Sequence, residues 1–356
     1  MTVADAPDIR SALRSALAAA GIAADPQAMA DTGLAHLHFR LPGRGLVARL
    51  PKQSQMQLGA AENLAYQAAC YTRAAASAHA PALHTVLAPS PALPRGGLVV
   101  EEIVGRTARL PQDLDALIDA LAAIHALAVP TPPARAPLLA PEDPLADLLA
   151  EIRAQAAYLD RAAVAPDTRA VVEDGIAALA TLAAAAPRPP RRLISFDAHP
   201  GNFIVRADGR AVLVDLEKCR YAAPPLDLAH ATLYTSTTWD VASHAVLDTA
   251  EVAGAYRRWL ARLAPLPWAE EARAWLVPLR RAMWLWSMTW CAKWRVLSGT
   301  PAQTVATGED WSADRSEAAL VAHVRGRVDH YLAPETAMRL AAEFEALDRA
   351  LEAPDP

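Results

Sequence analysis

The chain has 356 residues, 53% hydrophobic and 21% charged, with a formal net charge of −5. That composition fits a folded globular protein long enough for two lobes and excludes a disordered chain. No basic surplus points to nucleic acid, and no apolar run reaches the ~18 residues of a membrane span.

Cys70, Cys219 and Cys291 lie far apart, which argues against a zinc motif or a disulfide framework. Asp5 and Asp8 interrupt the N-terminus where a secretion signal would carry its apolar stretch, so a cytoplasmic protein is expected.

In chain order, residues 9–20 (IRSALRSALAAA) predict a short amphipathic helix stopped by Gly21. Residues 34–50 alternate apolar and polar side chains around a Pro-Gly turn, which is a hairpin pattern. Residues 59–78 predict a helix, and residues 81–105 two or three strands broken by prolines. A strand-rich first part with one helix thus closes near Glu102.

Asp113–Ala128 carries apolar residues at helical spacing behind an acidic first turn suited to the helix dipole. A Pro-rich connector, residues 130–144, leads to two more helices ending near Ala185, and PRPPRR (187–192) reads as a linker. A hairpin follows: Phe203–Arg206, an Asp208-Gly209 turn, and Ala211–Val214. From Asp227 onward the pattern is helical, with breaks around Pro265–Pro267 and residues 300–310. There are no internal repeats. The expected fold class is α+β: a small β-rich lobe, residues 1–102, then a larger, mostly helical lobe, residues 103–356.

The chemistry concentrates around that hairpin. Asp197 stands five residues before Asn202, and Asp215 and Glu217 follow the hairpin. Phosphoryl transfer from ATP uses this spacing: one carboxylate orients the acceptor hydroxyl, and an amide and a second carboxylate hold Mg²⁺. The same DAHPGN segment also reads as a surface turn, since it is rich in turn formers; Asp215 at the hairpin's end favours the chemical reading.

These residues resemble the motif of the aminoglycoside phosphotransferase and choline kinase family, usually H-G-D-x-H-x-x-N followed by I-D-x-E or I-D-x-G. Weaker landmarks extend the likeness. Val47-Ala-Arg49-Leu resembles the strand bearing the basic ATP-phosphate ligand, and Glu62 its helix partner. Leu98–Glu102 resembles the hinge, and Leu121–His125 the helix before the catalytic loop.

The resemblance implies a protein-kinase-like bilobal fold, ATP and Mg²⁺ as cofactors, and a small-molecule hydroxyl acceptor. It implies Asp197 as the catalytic residue and Asn202 and Asp215 as metal ligands. Arg49, Glu62, Glu101 and Ile103 would serve the nucleotide. Lys52 competes with Arg49, which is favoured because it lies inside the strand rather than after Pro51. Glu62 also reads as a solvated helix-face acid. His125 and His199 read as packing or turn-stabilising residues, and Asp227 as a helix N-cap that also braces the catalytic loop.

Two departures stand out. Ser195-Phe196 replaces the family's His-Gly, and the nucleotide loop Thr32–His36 holds a single glycine, Gly33. They motivate a second reading, a non-catalytic ATP-binding pseudokinase or scaffold of the same fold.

For the acceptor, Trp286, Trp290 and Trp294 recur every four residues and share one helix face. With Glu217 they resemble the substrate-lining helix of choline kinases, whose aromatic cage would hold an amine by cation–π attraction. A stripe at this spacing reads equally as core, and Lys293 and Arg295 among the tryptophans fit a cationic substrate poorly. Aminoglycoside sites want many carboxylates, and the late acids are few: Glu309, Asp310 and Asp314.

Overall fold

The computed structural model describes residues 6–30, 35–54, 56, 58–185, 187–241, 243–300 and 318–352. The expectations placed on Thr32–Leu34, on the break at 301–310, and on Glu309, Asp310 and Asp314 lie outside the described residues.

The N-terminal region is an antiparallel sheet with two helices. α1 (Ala6–Ala19) buries Leu13 and Leu17 against it and ends at Gly21, whose φ of +78° suits only a residue without a Cβ. Strands β1 (Gln27–Ala28), β2 (His36–Leu41), β3 (Leu46–Pro51), β4 (Leu83–Leu87) and β5 (Gly97–Glu101) order as β1-β2-β3-β5-β4. β2 and β3 form the expected hairpin, turning at Gly43 and Gly45, both at positive φ, and Arg49 lies between His38 and Leu98 in register. α2 (Ala60–Ala74) buries Asn63, Gln67 and Tyr71, four residues apart, together with Tyr66 and Cys70.

Beyond Glu101 helices dominate. They are α3 (Leu114–Ala126), the short α4 (Pro132–Arg135) inside the Pro-rich connector, α5 (Pro144–Ala156) and α6 (Pro166–Ala184), then α7 (Pro225–Thr232) and α8 (Tyr234–Thr237). α9 (Thr249–Leu263), α10 (Pro267–Arg273), α11 (Leu276–Leu297), α12 (Ala318–Tyr331) and α13 (Pro334–Glu352) complete the region. None of the described helices is long and apolar enough to cross a membrane.

Short strands carry the motif. β6 (Arg106–Thr107) joins the hairpin of β8 (Phe203–Val205) and β9 (Ala211–Leu213), and β7 (Arg192–Ile194) pairs with β10 (Arg220–Ala222). The Asp208-Gly209 turn forms as expected, with Gly209 at φ +83°. The last arginine of PRPPRR is more than a linker residue. Arg192 opens β7 and donates to the carbonyls of His125 (2.8 Å) and Leu127 (2.5 Å), neutralising the C-terminus of α3.

Candidate active site

Asp227 organises the loop that carries Asp197. Its carboxylate accepts the backbone N–H groups of Ser195 (2.7 Å) and Phe196 (2.8 Å). His125, fully buried, adds a third bond at 3.2 Å through Nε2. The tautomer follows from its other neighbour: the Trp259 indole can only donate, and it donates to Nδ1 at 3.0 Å, so the proton sits on Nε2. Asp227 is the third residue of α7 rather than its N-cap, which is Pro224; three donors hold the carboxylate in the first turn, where the helix dipole also favours it.

This frame explains how Ser195-Phe196 replaces His-Gly. The Asp197 N–H donates to the Ser195 hydroxyl at 3.0 Å, so the serine ties the loop locally. Phe196 has φ +57°, a left-handed conformation that a glycine would take freely. Its ring offsets the strain by burial, meeting the Trp286 ring edge-on at 5.3 Å and lying beneath the Arg220 guanidinium at 3.7 Å.

Asp197 Oδ2 accepts from Lys218 Nζ at 2.8 Å, while Oδ1 lies 3.9 Å from His230 Nε2. Burial would raise this carboxyl, but Lys218, with His230 and His199, outweighs it and lowers the pKa below the usual 3.8. Asn202 Nδ2 donates to the Asp197 carbonyl at 2.9 Å, which commits the amide nitrogen and leaves the amide oxygen as the atom that could ligate a metal. The Val214 N–H bonds the Asn202 carbonyl at 2.9 Å, bringing the residue before Asp215 against Asn202. His199 Nδ1 accepts from the Gly201 N–H at 3.2 Å, the expected turn-stabilising role. An added Cβ at Gly201 would stand 2.6 Å from the Asp240 carboxylate and 2.8 Å from the His199 ring, so a larger residue there would displace those side chains.

Arg49, buried, donates to the Asp215 carboxylate at 2.6 Å and to the Val214 carbonyl at 2.7 Å. Burial opposes the charge on Asp215, yet Arg49 holds its pKa far below the carboxylate range. At Glu217, burial and the Asp215 charge outweigh the nearby Lys218 and Arg49 and push its carboxyl up to about 8. His36, which burial keeps neutral with a pKa of about 3, faces Glu217 at 3.5 Å and Gln67 at 3.2 Å. One ligand atom each from His36, Asp215 and Glu217 lie within 4.8 Å of one another. Two carboxylates and an imidazole so placed could hold a divalent cation, with the Arg49 guanidinium against Asp215 and His36 at its edge.

The helix partner assigned to Arg49 needs correction. Glu62 is exposed in the first turn of α2, where its carboxylate accepts the N–H of the N-cap Gly59 at 3.3 Å. The residues that α2 sends toward Arg49 are one and two turns on. Tyr71 lies 5.5 Å from the guanidinium and bonds the Val214 carbonyl at 2.8 Å, and Gln67 reaches Glu217 at 3.4 Å. Lys52 lies past the end of β3, with its N–H on the Ala35 carbonyl.

Glu101 ends β5 with its carboxylate bonded to Arg206 at 2.6 Å, and Ile103 is half-buried just beyond the strand. Trp286 belongs to the core, because α11 threads between α5, α6 and α7; its N–H is spent on Glu151 at 2.7 Å. Trp290 is half-buried, edge-on to Trp239 at 5.8 Å. No open cage of stacked tryptophans forms from these two among the described residues.

The profile of the phosphotransferase enzyme family (APH) matches residues 34–266. The chain belongs to this family. A search of curated proteins found no match. Among solved structures, a choline/ethanolamine kinase family protein from Mesorhizobium loti superposes with a TM-score of 0.59 at 19% identity, covering 95% of this chain and 99% of that one. A thermostable mutant of the aminoglycoside phosphotransferase APH(4)-Ia, in a ternary complex with AMP-PNP and hygromycin B, gives 0.54 at 16% identity, covering 98% and 100%. The Plasmodium vivax ethanolamine kinase gives 0.56 at 10% identity, covering 89% and 83%. Membership in the phosphotransferase family and the α+β, protein-kinase-like fold agree with the motif reading.

Proposed function

We propose that this phosphotransferase is an ATP-dependent kinase that phosphorylates a hydroxyl of a small polar metabolite, of the amino alcohol, sugar or aminoglycoside class. The observation that carries the reading is the clamp of Ser195 and Phe196 on Asp227, which presents Asp197 beside Asn202 and Val214-Asp215. It also removes the main motive for a non-catalytic scaffold, since the loop stays braced without His-Gly. Residues 1–102 would bind the nucleotide, with Arg49 serving the phosphates and Glu101 and Ile103 the base. Residues 103–356 would bind the acceptor, with Trp290 on its side of the cleft; Glu217, assigned to the acceptor from the sequence, is instead buried against His36 and Gln67 of the N-terminal region.

The acceptor oxygen attacks the γ-phosphorus as the bond to the β-phosphate oxygen breaks and ADP departs; the hydroxyl proton passes to Asp197. Asp197 is suited to this because Lys218 keeps it ionised and holds one of its oxygens still. Asn202 and Asp215 would hold Mg²⁺, which supplies charge neutralisation on the phosphates. The free thiols of Cys70, Cys219 and Cys291 support a reducing cytoplasm.

The test is direct. Purified protein with ATP and Mg²⁺ is offered amino alcohols, sugars and aminoglycosides, and products are read by mass spectrometry. A mass gain of one phosphate on one class supports the reading; no acceptor consumed in any class contradicts it.

A further inference from the structure

His230 lies one turn beyond Asp227 on α7, so one rigid helix carries both the imidazole and the carboxylate that holds the catalytic loop. The residue is 8% exposed, and Nδ1 is buried without a hydrogen-bond partner. Nε2 faces Asp197 Oδ1 at 3.9 Å, too far for a hydrogen bond. Nε2 makes no hydrogen bond among the described residues, so the nitrogen that faces Asp197 has a donor to offer to a group placed between them. A purely packing role would be filled better by leucine.

The gap has a definite size. A single oxygen placed about 2.8 Å from both Nε2 and Oδ1 spans it with an angle near ~90° at that oxygen, which is acceptable hydrogen-bond geometry. Lys218 already occupies Oδ2, so Oδ1 is the carboxylate oxygen left to receive a proton. We propose that His230 is a catalytic residue whose Nε2–H and Asp197 Oδ1 together grip the acceptor oxygen.

The inference rests on the kinase reading and deepens it. The acceptor hydroxyl donates to Oδ1 and accepts from Nε2–H, which leaves its second lone pair for the γ-phosphorus. As the new P–O bond forms and the bond to ADP breaks, the hydroxyl proton moves to Asp197, and His230 neither gains nor loses one. Burial suits the imidazole to this role: with a pKa down at about 4 it is a neutral donor, and it leaves the ion pair of Asp197 to Lys218. The neighbouring His199 ring, 6.3 Å away centroid to centroid, is committed to Gly201.

The experiment uses ethanolamine, choline, glucose and hygromycin B as acceptors with ATP and Mg²⁺, and follows the one that wild-type protein phosphorylates fastest. His230→Leu should lower kcat/KM for that acceptor about 10–100-fold, as loss of acceptor positioning does. MgATP affinity by calorimetry should stay within about twofold of wild type, because the residue touches only the acceptor. His230→Gln, which keeps an N–H donor, should recover part of the loss.

The decisive arm is a double-mutant cycle. In an Asp197→Asn background the His230→Leu loss should shrink below about threefold, since both groups act on one oxygen. A His230→Leu enzyme as fast as wild type overturns the clamp, as does a loss of equal size in both backgrounds. A crystal structure of the wild-type protein gives an independent readout: one water oxygen bonded to both atoms supports the clamp, and a direct Nε2–Oδ1 bond overturns it. Failure of every acceptor with wild-type protein would instead overturn the kinase reading, and the clamp with it.

Discussion

Arg49 and Asp215 form an ion pair of 2.6 Å joining the third strand of the N-terminal sheet to the carboxylate assigned to the metal. The guanidinium uses two nitrogens in different directions, one on Asp215 and one on the Val214 carbonyl. A lysine has one charged nitrogen and cannot reproduce that fork. Arg49→Lys should therefore weaken MgATP binding about 10-fold, the worth of one charge-assisted bond. Glu62→Ala should leave it within about twofold and cost at most about 1 kcal/mol of stability, the worth of one exposed bond in the first turn of a helix. Calorimetric titration and thermal melts of both variants check the pair.

Lys218 governs the ionisation of Asp197. Burial alone would raise the carboxyl, and Lys218 is the largest influence against it, so the folded pKa lies below 3.8. A depressed pKa keeps the base ionised down to that range, and the acid limb of kcat/KM belongs below pH 4 as far as Asp197 sets it. In Lys218→Met the opposing cation is gone, and the limb should move to higher pH with a lowered plateau. A pH–rate profile of the two proteins decides; an unmoved limb contradicts the assignment.

Phe196 sets two effects against each other. Replacing it with glycine would relieve a left-handed φ of +57°, worth about 1–2 kcal/mol. The same change deletes a buried aromatic ring between Arg220 and Trp286, and removing such a ring costs about 3–5 kcal/mol. Packing wins: Phe196→Gly should destabilise by about 2 kcal/mol, although it restores the family's residue. Urea unfolding measures it, and a stabilised variant would show that the strain dominates.

Asp119 on α3 accepts from both Arg258 and Arg262 on α9, at 2.7 and 2.6 Å. Burial acts to raise its pKa, but the two arginines outweigh it, so the folded value falls below 3.8. A depressed pKa contributes stability above the unfolded value and loses it as pH falls through the folded one. Asp119→Asn should therefore melt below wild type at pH 7, and the difference should close below about pH 4. A constant difference across that range would contradict the ion-pair account.

Much of this was legible in the sequence, for identifiable reasons. Asp197, Asn202 and Asp215 are close in sequence, and the tight Asp-Gly turn brings Val214, before Asp215, back against Asn202, so their proximity was legible. The hairpin of β2 and β3 and the stops at Gly21 and Pro265–Pro267 were readable from alternation and breaker residues. Contacts made across the fold were not. Glu62 is acidic and near the right place, yet helix phase turns it outward to the Gly59 N–H; the buried face is Asn63, Gln67 and Tyr71, and of these Tyr71 lies against Arg49. The tryptophan stripe gave a face but not what covers it, and α5, α6 and α7 do. β7 and β10, three residues each, are too short to carry a period. Lys218 and His230 were overlooked, although one directly follows Asp-Leu-Glu and the other stands three residues after Asp227 on the same helix.

Single-turnover transfer from ATP to the preferred acceptor, with wild-type protein and Asp197→Asn compared, tests the account most directly. Transfer should fall about 10²–10⁴-fold in the variant while MgATP binding is retained, as loss of a general base requires. Equal transfer rates in the two proteins would contradict it.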